Sequence, residues 1–186
     1  MDENLKILVK KCQENKTSAQ AELYNQFSSQ LFSVCLRYAD NADDAQDIFQ
    51  DGFIMIFQKI NQFRFEGSFE GWLRRIMVNC CIEKHRNKNH LYVINEELTP
   101  DETAENDDEE FDTEEYTYDE LLEIIRSLPD RYNQVFNLYT IEGYSHQQIS
   151  EMLNISVGTS KSNLSRAREK LKELIKKNKE INVMSK

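Results

Sequence analysis

Apolar residues recur at helical spacing along most of the chain, and the breaks between runs carry capping residues. Residues 5–14 and then 19–39 read as helices, the second with Ser18 as its expected cap and Leu23, Phe27, Leu31, Cys35 and Tyr38 near one face. Asn41 is placed to cap a third helix, whose first turn holds Asp43 and Asp44 against the positive end of the helix dipole. Its stripe of Ala45, Ile48, Phe49, Phe53, Ile56, Phe57 and Ile60 predicts core. Residues 61–68, NQFRFEGS, interrupt the period with a glycine and two aromatic residues, Phe63 and Phe65. Ser68 can then start a helix with Trp72, Leu73, Ile76, Met77 and Cys80 facing inward. Arg74, Arg75, Asn79, Lys84, His85, Arg86 and Lys88 are expected on its outer face.

The pattern fails between residues 91 and 116, where too few apolar side chains occur to bury a core, and a flexible linker is the expectation. Helix resumes with a capping box at Thr117 and Glu120, followed by Leu121, Leu122, Ile124, Ile125 and Leu128. Pro129 suits the first turn of the next helix, which is expected to run through Val135, Phe136, Leu138 and Tyr139 to Gly143.

From Gly143 to Arg168 two capped helices follow each other across a tight turn. Ser145 and Gln148 form a second capping box, and Ile149, Met152 and Leu153 give a short helix one apolar face. Asn154 tolerates the left-handed turn conformation, and Ser156 is the N-cap of a longer helix. Leu164, Ala167, Leu171, Leu174 and Ile175 form that helix's inner stripe. Lys161, Ser162, Asn163, Ser165, Arg166 and Arg168 are expected largely outside it. This is the pattern of a helix-turn-helix: donors for base edges near the start of the second helix, and cations for phosphate further along. The competing reading is a helical hairpin with a solvated basic face.

A net charge of −10 argues at first against a DNA binder. The charge is segregated, however. Residues 1–90 carry 12 basic and 12 acidic side chains, residues 91–125 carry none and 15, and residues 126–186 carry 11 and 6. The acidity belongs to the linker segment, and the helix-turn-helix lies in the basic one. With only 5 glycines and 2 prolines the expected fold class is all-α. The expected organisation is a helical domain over 1–90, an acidic flexible linker over 91–116, a second helical domain over 117–180 and a tail over 181–186.

The first 11 residues are charged and lack the apolar core of a signal sequence, and no run reaches membrane-spanning length. The expected location is therefore cytoplasmic, without membrane insertion. Cys12, Cys35, Cys80 and Cys81 show no paired CxxC spacing and read as inert thiols. Cys81 and His85 are spaced for one side of a metal site, but no second ligand pair accompanies them, so no metal is expected. No glycine-rich phosphate loop and no nucleophile with a plausible base is present, so neither an enzyme nor a cofactor is expected.

Two surfaces remain as binding candidates. Asp44, Asp47, Gln50 and Asp51 make an acidic and amide face at helical spacing, suited either to solvent or to a basic partner helix. The cations and amide of the fourth helix, beside an aromatic loop, are what a strand-separating site needs. Such a site neutralises backbone charge while unstacked bases lie on rings or in pockets. Phe63 and Phe65 can equally close the core.

Taken together, DDAQDIFQDGFIMIFQKINQF, FRFEGSFEGWLRRIMVNCCIEKHR and SLPDRYNQVFNLYTIEGYSHQQISEMLNISVGTSKSNLSRAREKL resemble the sigma factors of the sigma-70 family. The resemblance is to the small extracytoplasmic-function group, which keeps only regions two and four, and it covers nearly the whole chain outside the acidic linker. It implies a transcription initiation factor that binds core RNA polymerase. Asp44, Asp47, Gln50 and Asp51 would dock on the clamp coiled coil of the largest subunit, and region four would meet the flap. It implies promoter DNA as the second partner. The minus-ten element would be melted and read by the loop Phe63 to Ser68, with Phe63 and Phe65, and by Arg75, Asn79 and Arg86. The minus-thirty-five element would be read by Lys161, Ser162, Asn163, Ser165 and Arg166, with Arg131, Tyr144, Ser156 and Thr159 on phosphates. An anti-sigma factor is a further expected partner.

The chain departs from the family pattern at Gln148 and Ser150, where Glu and Ala are usual, at Ser160 for Val, at Asn163 for Arg and at Glu83 for Asp. A stand-alone helix-turn-helix regulator binding operator DNA without polymerase is the alternative.

Overall fold

The computed structural model describes residues 1–91 and 116–184, with side chains over 1–86 and 116–177. Eight α-helices and no strand occur among the described residues. The chain divides into two compact units, Met1–Tyr92 and Val93–Lys186. No helix among the described residues is long and apolar enough to cross a membrane.

The first unit holds α1 (Glu3–Gln13), α2 (Thr17–Tyr38), α3 (Ala42–Lys59) and α4 (Phe69–Leu91), with a short 3-10 turn at Ile60–Gln62. Leu23, Leu31, Val34, Ile48, Ile56, Leu73 and Met77 are buried between the helices. Burying each such side chain stabilises by about 1.5–3 kcal/mol, which is why the long amphipathic helices hold without help from their termini. Helix α2 illustrates this. It starts at Thr17 with Lys16 at the N-cap and no side-chain capping bond, so Ser18 is not its cap. Helix α3 does carry the expected cap, with the Asp44 N–H donating to Asn41 Oδ1 at 2.8 Å. Gly52 lets α3 and α4 approach closely, since a Cβ there would stand 2.4 Å from Met77 Sδ.

The second unit contains α5 (Tyr118–Arg126), α6 (Asp130–Phe136), α7 (His146–Leu153) and α8 (Val157–Met184). Both capping boxes form, Thr117 with Glu120 and Ser145 with Gln148. Asn154 takes the left-handed conformation with φ 54° and ends α7. Ser156 Oγ then accepts the Thr159 N–H at 2.9 Å and opens α8. Pro129 lies just before α6, at its N-cap.

The helix expected to continue from Pro129 to Gly143 instead widens into a π turn at Asn137–Ile141. There the Asn133 carbonyl accepts both the backbone and the side-chain N–H of Asn137, the latter at 3.0 Å. A side chain inserted into the helical ladder in this way is a usual site of helix irregularity.

The proposed linker lies outside the described residues from 92 to 115. Its two ends differ from expectation: α4 runs to Leu91, and the Tyr116 hydroxyl donates to the Ile175 carbonyl on α8 at 2.9 Å. Tyr116 is therefore tied to the second unit. The expected tail is helical as far as Met184.

Candidate nucleic-acid and polymerase interfaces

In the first unit, α3 turns its apolar stripe inward and leaves Asp47, Gln50 and Asp51 exposed and Asp44 half-buried. The face is not a bare run of carboxylates, because Lys84 of α4 lies 3.5 Å from Asp47 and 3.9 Å from Asp44. All three side chains keep substantial solvent exposure, so these pairs hold weakly and can exchange partners. Beside them a groove of about 570 Å³ runs between α3 and α4, where Asp51, Ile54, Asn79 and Lys84 meet. Ile54 is 56% exposed and, with Met55 and Ile76, adds apolar surface to this groove.

The aromatic loop divides in two. Phe63 is 4% exposed and packs against Phe69 at 4.9 Å, Trp72 at 5.6 Å and Phe65 at 5.3 Å between ring centroids. This corrects its assignment as a base-stacking surface: the ring is floor, buried because the helix that follows brings Phe69 and Trp72 onto it. Phe65 is half-buried and sits at φ 61°, a conformation rare for a bulky residue. Gly67, at φ 79°, completes the reversal. Ser68 Oγ accepts the Gly71 N–H at 3.1 Å and starts α4.

Two residues of α1 contact this loop and the turn before it, with no signal in the sequence. The Gln13 side-chain amide donates to the Ile60 and Phe63 carbonyls at 3.0 and 3.1 Å, and the Lys10 ammonium stands 6.0 Å from the Phe65 ring.

Arg75 and Asn79 are exposed on α4. Arg86 is exposed and paired with Glu83 at 2.6 Å. His85, expected outside, is 6% exposed and donates to the Tyr38 carbonyl at 2.6 Å. The inner face of α4 winds through Met77, Val78, Cys81 and Ile82 at this level, which carries position 85 inward. The side chain of Lys88 lies outside the described ones. Cys12, Cys35 and Cys81 are buried and none of the four cysteines is bridged. Burial pushes the Cys80 thiol up to about 11, with the Asp51 carboxylate adding to it. Burial likewise raises the Cys81 thiol. Protonated thiols of this kind are poor nucleophiles and poor metal ligands.

In the second unit α8 leaves Lys161 exposed and Ser162, Ser165 and Arg166 partly exposed to solvent. Asn163 does not join them. It is 5% exposed, beside Ser160 at 0%, Leu164 at 5% and Ala167 at 0%. Positions 160, 163, 164, 167 and 171 share one helical face, so the buried stripe continues through two polar residues that a hydrophobicity pattern passes over. Asn163 is thereby corrected from a base-reading to an interior position.

Ser160 is matched across the turn, with its Oγ 2.9 Å from His146 Nδ1. The His146 ring stacks on Tyr139 of the π turn at 4.5 Å. Burial lowers the His146 pKa, and the positive charges of Lys161 and Arg168 lower it further, so the ring is neutral near pH 7. Ser156 is exposed and Thr159 half-buried at the start of α8, their hydroxyls 2.8 Å apart. Arg131 lies over the Tyr132 ring at 4.9 Å, and Tyr144 is half-buried.

Comparison with known proteins agrees with this division. The family model described as Sigma-70 region 2 matches residues 23–90, and that described as Sigma-70, region 4 matches residues 118–171. The ECF RNA polymerase sigma factor SigW of Bacillus subtilis is 28% identical over 185 residues, covering 95% of this chain and 99% of that protein. SigE of Mycolicibacterium smegmatis is 28% identical over 161 residues, which span 84% of this chain but only 61% of the longer relative.

Among solved structures, the sigma factor RpoE of Bartonella quintana, in complex with the anti-sigma factor NepR, shares the fold. Its TM-score is 0.53 at 20% identity, over 84% of this chain and 96% of that one. CnrH, in complex with the cytosolic domain of CnrY, gives 0.50 at 20% identity, over 91% and 96%. With region two followed by region four along one chain, and relatives of the same group aligned across both, the protein belongs to the extracytoplasmic-function group of sigma-70 family RNA polymerase sigma factors.

Proposed function

We propose that the protein docks on core RNA polymerase in the cytoplasm and directs transcription from promoters read at two separated elements. Asp44, Asp47, Gln50 and Asp51 of α3 meet the clamp coiled coil of the largest subunit, exchanging Lys84 for the cations of that partner. The loop around Phe65, with Arg75, Asn79 and Arg86, holds the melted non-template strand at the minus-ten element. Lys161, Ser162, Ser165 and Arg166 read the minus-thirty-five duplex, while Arg131, Tyr144, Ser156 and Thr159 lie against phosphates and the same unit meets the flap. The Bartonella quintana relative was solved with an anti-sigma factor, and a partner of that class belongs to this proposal.

The observation that carries the reading is the asymmetry of α8. Its donors and cations stay accessible over the first three turns, while Ser160, Asn163, Leu164 and Ala167 seat the opposite face. That is how a recognition helix enters a major groove with its N-terminal residues on base edges.

The test is co-purification with core polymerase followed by run-off transcription from promoter fragments. Retention on core and a transcript that depends on both elements is the expected result. Tight operator binding by the free chain, with no directed transcript, would replace the proposal with a stand-alone regulator.

A further inference from the structure

We infer that α1, which precedes the matched region-two segment, is part of the minus-ten reader, with Gln13 as the positioning residue for the loop Phe63 to Ser68. The inference rests on the reading of that loop as the base-recognition element. A recognition loop discriminates only if its backbone is held in one geometry. This one turns through Phe65 at φ 61° and Gly67 at φ 79°, outside any regular element, and the first of these is a conformation that L residues avoid. Surrounding contacts have to hold it there.

The side-chain nitrogen of Gln13 supplies that hold. It donates to the Ile60 carbonyl, which opens the 3-10 turn, and to the Phe63 carbonyl, from which the chain departs into the loop. One group from the end of α1 therefore spans both ends of the turn that launches Arg64 and Phe65. Gln13 is half-buried, where such bonds gain strength from the reduced dielectric. One turn earlier on the same helix, Lys10 stands 6.0 Å from the ring of Phe65. A base stacked on that ring would bring its phosphate toward an exposed ammonium, the combination of ring and cation that single-strand binding uses. Helix α1 thus touches the loop at its backbone through Gln13 and at its reading side chain through Lys10.

The experiment uses holoenzyme reconstituted with each variant and a pool of single-stranded DNA randomised through the minus-ten positions, with the bound fraction sequenced. Gln13→Ala should lower enrichment of the preferred bases by roughly fivefold or more, the scale of losing its two part-buried hydrogen bonds to the Ile60 and Phe63 carbonyls. Gln13→Glu keeps the shape but turns an acceptor toward two carbonyl oxygens, and should lower it further. Affinity for core polymerase should stay within about twofold, because Gln13 is remote in role from the acidic face. Lys10→Gln should leave base preference intact and reduce the salt dependence of binding by about one phosphate contact.

Unchanged enrichment in both Gln13 variants would overturn the inference. So would a joint loss of core affinity and base preference, which would mean that α1 serves only the stability of the bundle. Phe65→Ala separates the role of α1 from that of the loop. If it abolishes base preference while the Gln13 variants do not, the role of α1 alone fails. If it leaves preference untouched, the reading of the loop fails.

Discussion

The two helical units are held by different physics. The first rests its loop and α4 on an apolar floor, where Phe27, Phe63, Phe69 and Trp72 form a chain of ring contacts between 4.9 and 6.0 Å. The second uses short helices whose ends are closed one by one: Thr117 with Glu120, Ser145 with Gln148, left-handed Asn154, and Ser156. Its interior holds Asn133, Asn137, Ser160 and Asn163 among the apolar residues. Packing energy accumulates over a large contact surface, whereas each cap contributes a small and separable amount. Region two should therefore fail as a whole, and region four should weaken in steps.

The sharpest break of this contrast is in the first unit. Leu73→Ala, at a fully buried position, should cost about 2–5 kcal/mol in urea unfolding of the full chain and abolish minus-ten binding. A cost below about 1 kcal/mol would mean that the floor is not what supports the loop. Next in size, Arg166→Ala should remove about 1–3 kcal/mol of minus-thirty-five discrimination with core binding intact. Run-off transcription that keeps its selectivity in this variant would remove α8 as the reader.

Smaller still is a single cap. Ser145→Ala breaks one capping box and should cost about 1 kcal/mol, read as a lowered melting temperature with binding to core unaffected.

The smallest effect concerns His146, whose pKa is lowered by burial and then by Lys161 and Arg168. Because the folded value lies below the unfolded 6.5, the unfolded chain takes up this proton first. The stabilising contribution is present above pH 6.5 and is lost as the pH falls through the lower folded pKa. His146→Phe keeps a ring against Tyr139 and should flatten that part of the pH dependence of melting. An unchanged slope would place the proton uptake on another group.

What could be read from the sequence was what is encoded locally. The boxes at Thr117 and Ser145, the caps at Asn41, Ser68 and Ser156, and the left-handed Asn154 each need only three or four neighbouring residues, and each forms. The stripes of α3 and α4 were legible because apolar side chains mark them. Buried polar residues carry no such mark, which is why Asn163 and His85 read as exposed and are interior. Ser18 looked like a cap because a hydroxyl precedes the apolar run, yet α2 begins uncapped at Thr17 and is held by packing.

Phe63 and Phe65 are two residues apart and chemically alike. Only the fold, by setting Phe69 and Trp72 against one ring, makes the first a floor and leaves the second half-open. The contacts of Gln13 lie 47 and 50 positions away, beyond any local pattern.

In the proposed function two readers, each weak alone, become specific when polymerase holds them together. The most direct test is the affinity of one promoter duplex, opened at the minus-ten element, for the free chain and for the chain bound to core polymerase at the same salt. Tethering predicts binding tighter by about 10²-fold or more on core, with both Arg166→Ala and Phe65→Ala reducing it. Equal affinity for the free and the core-bound chain would show that polymerase does not couple the two readers.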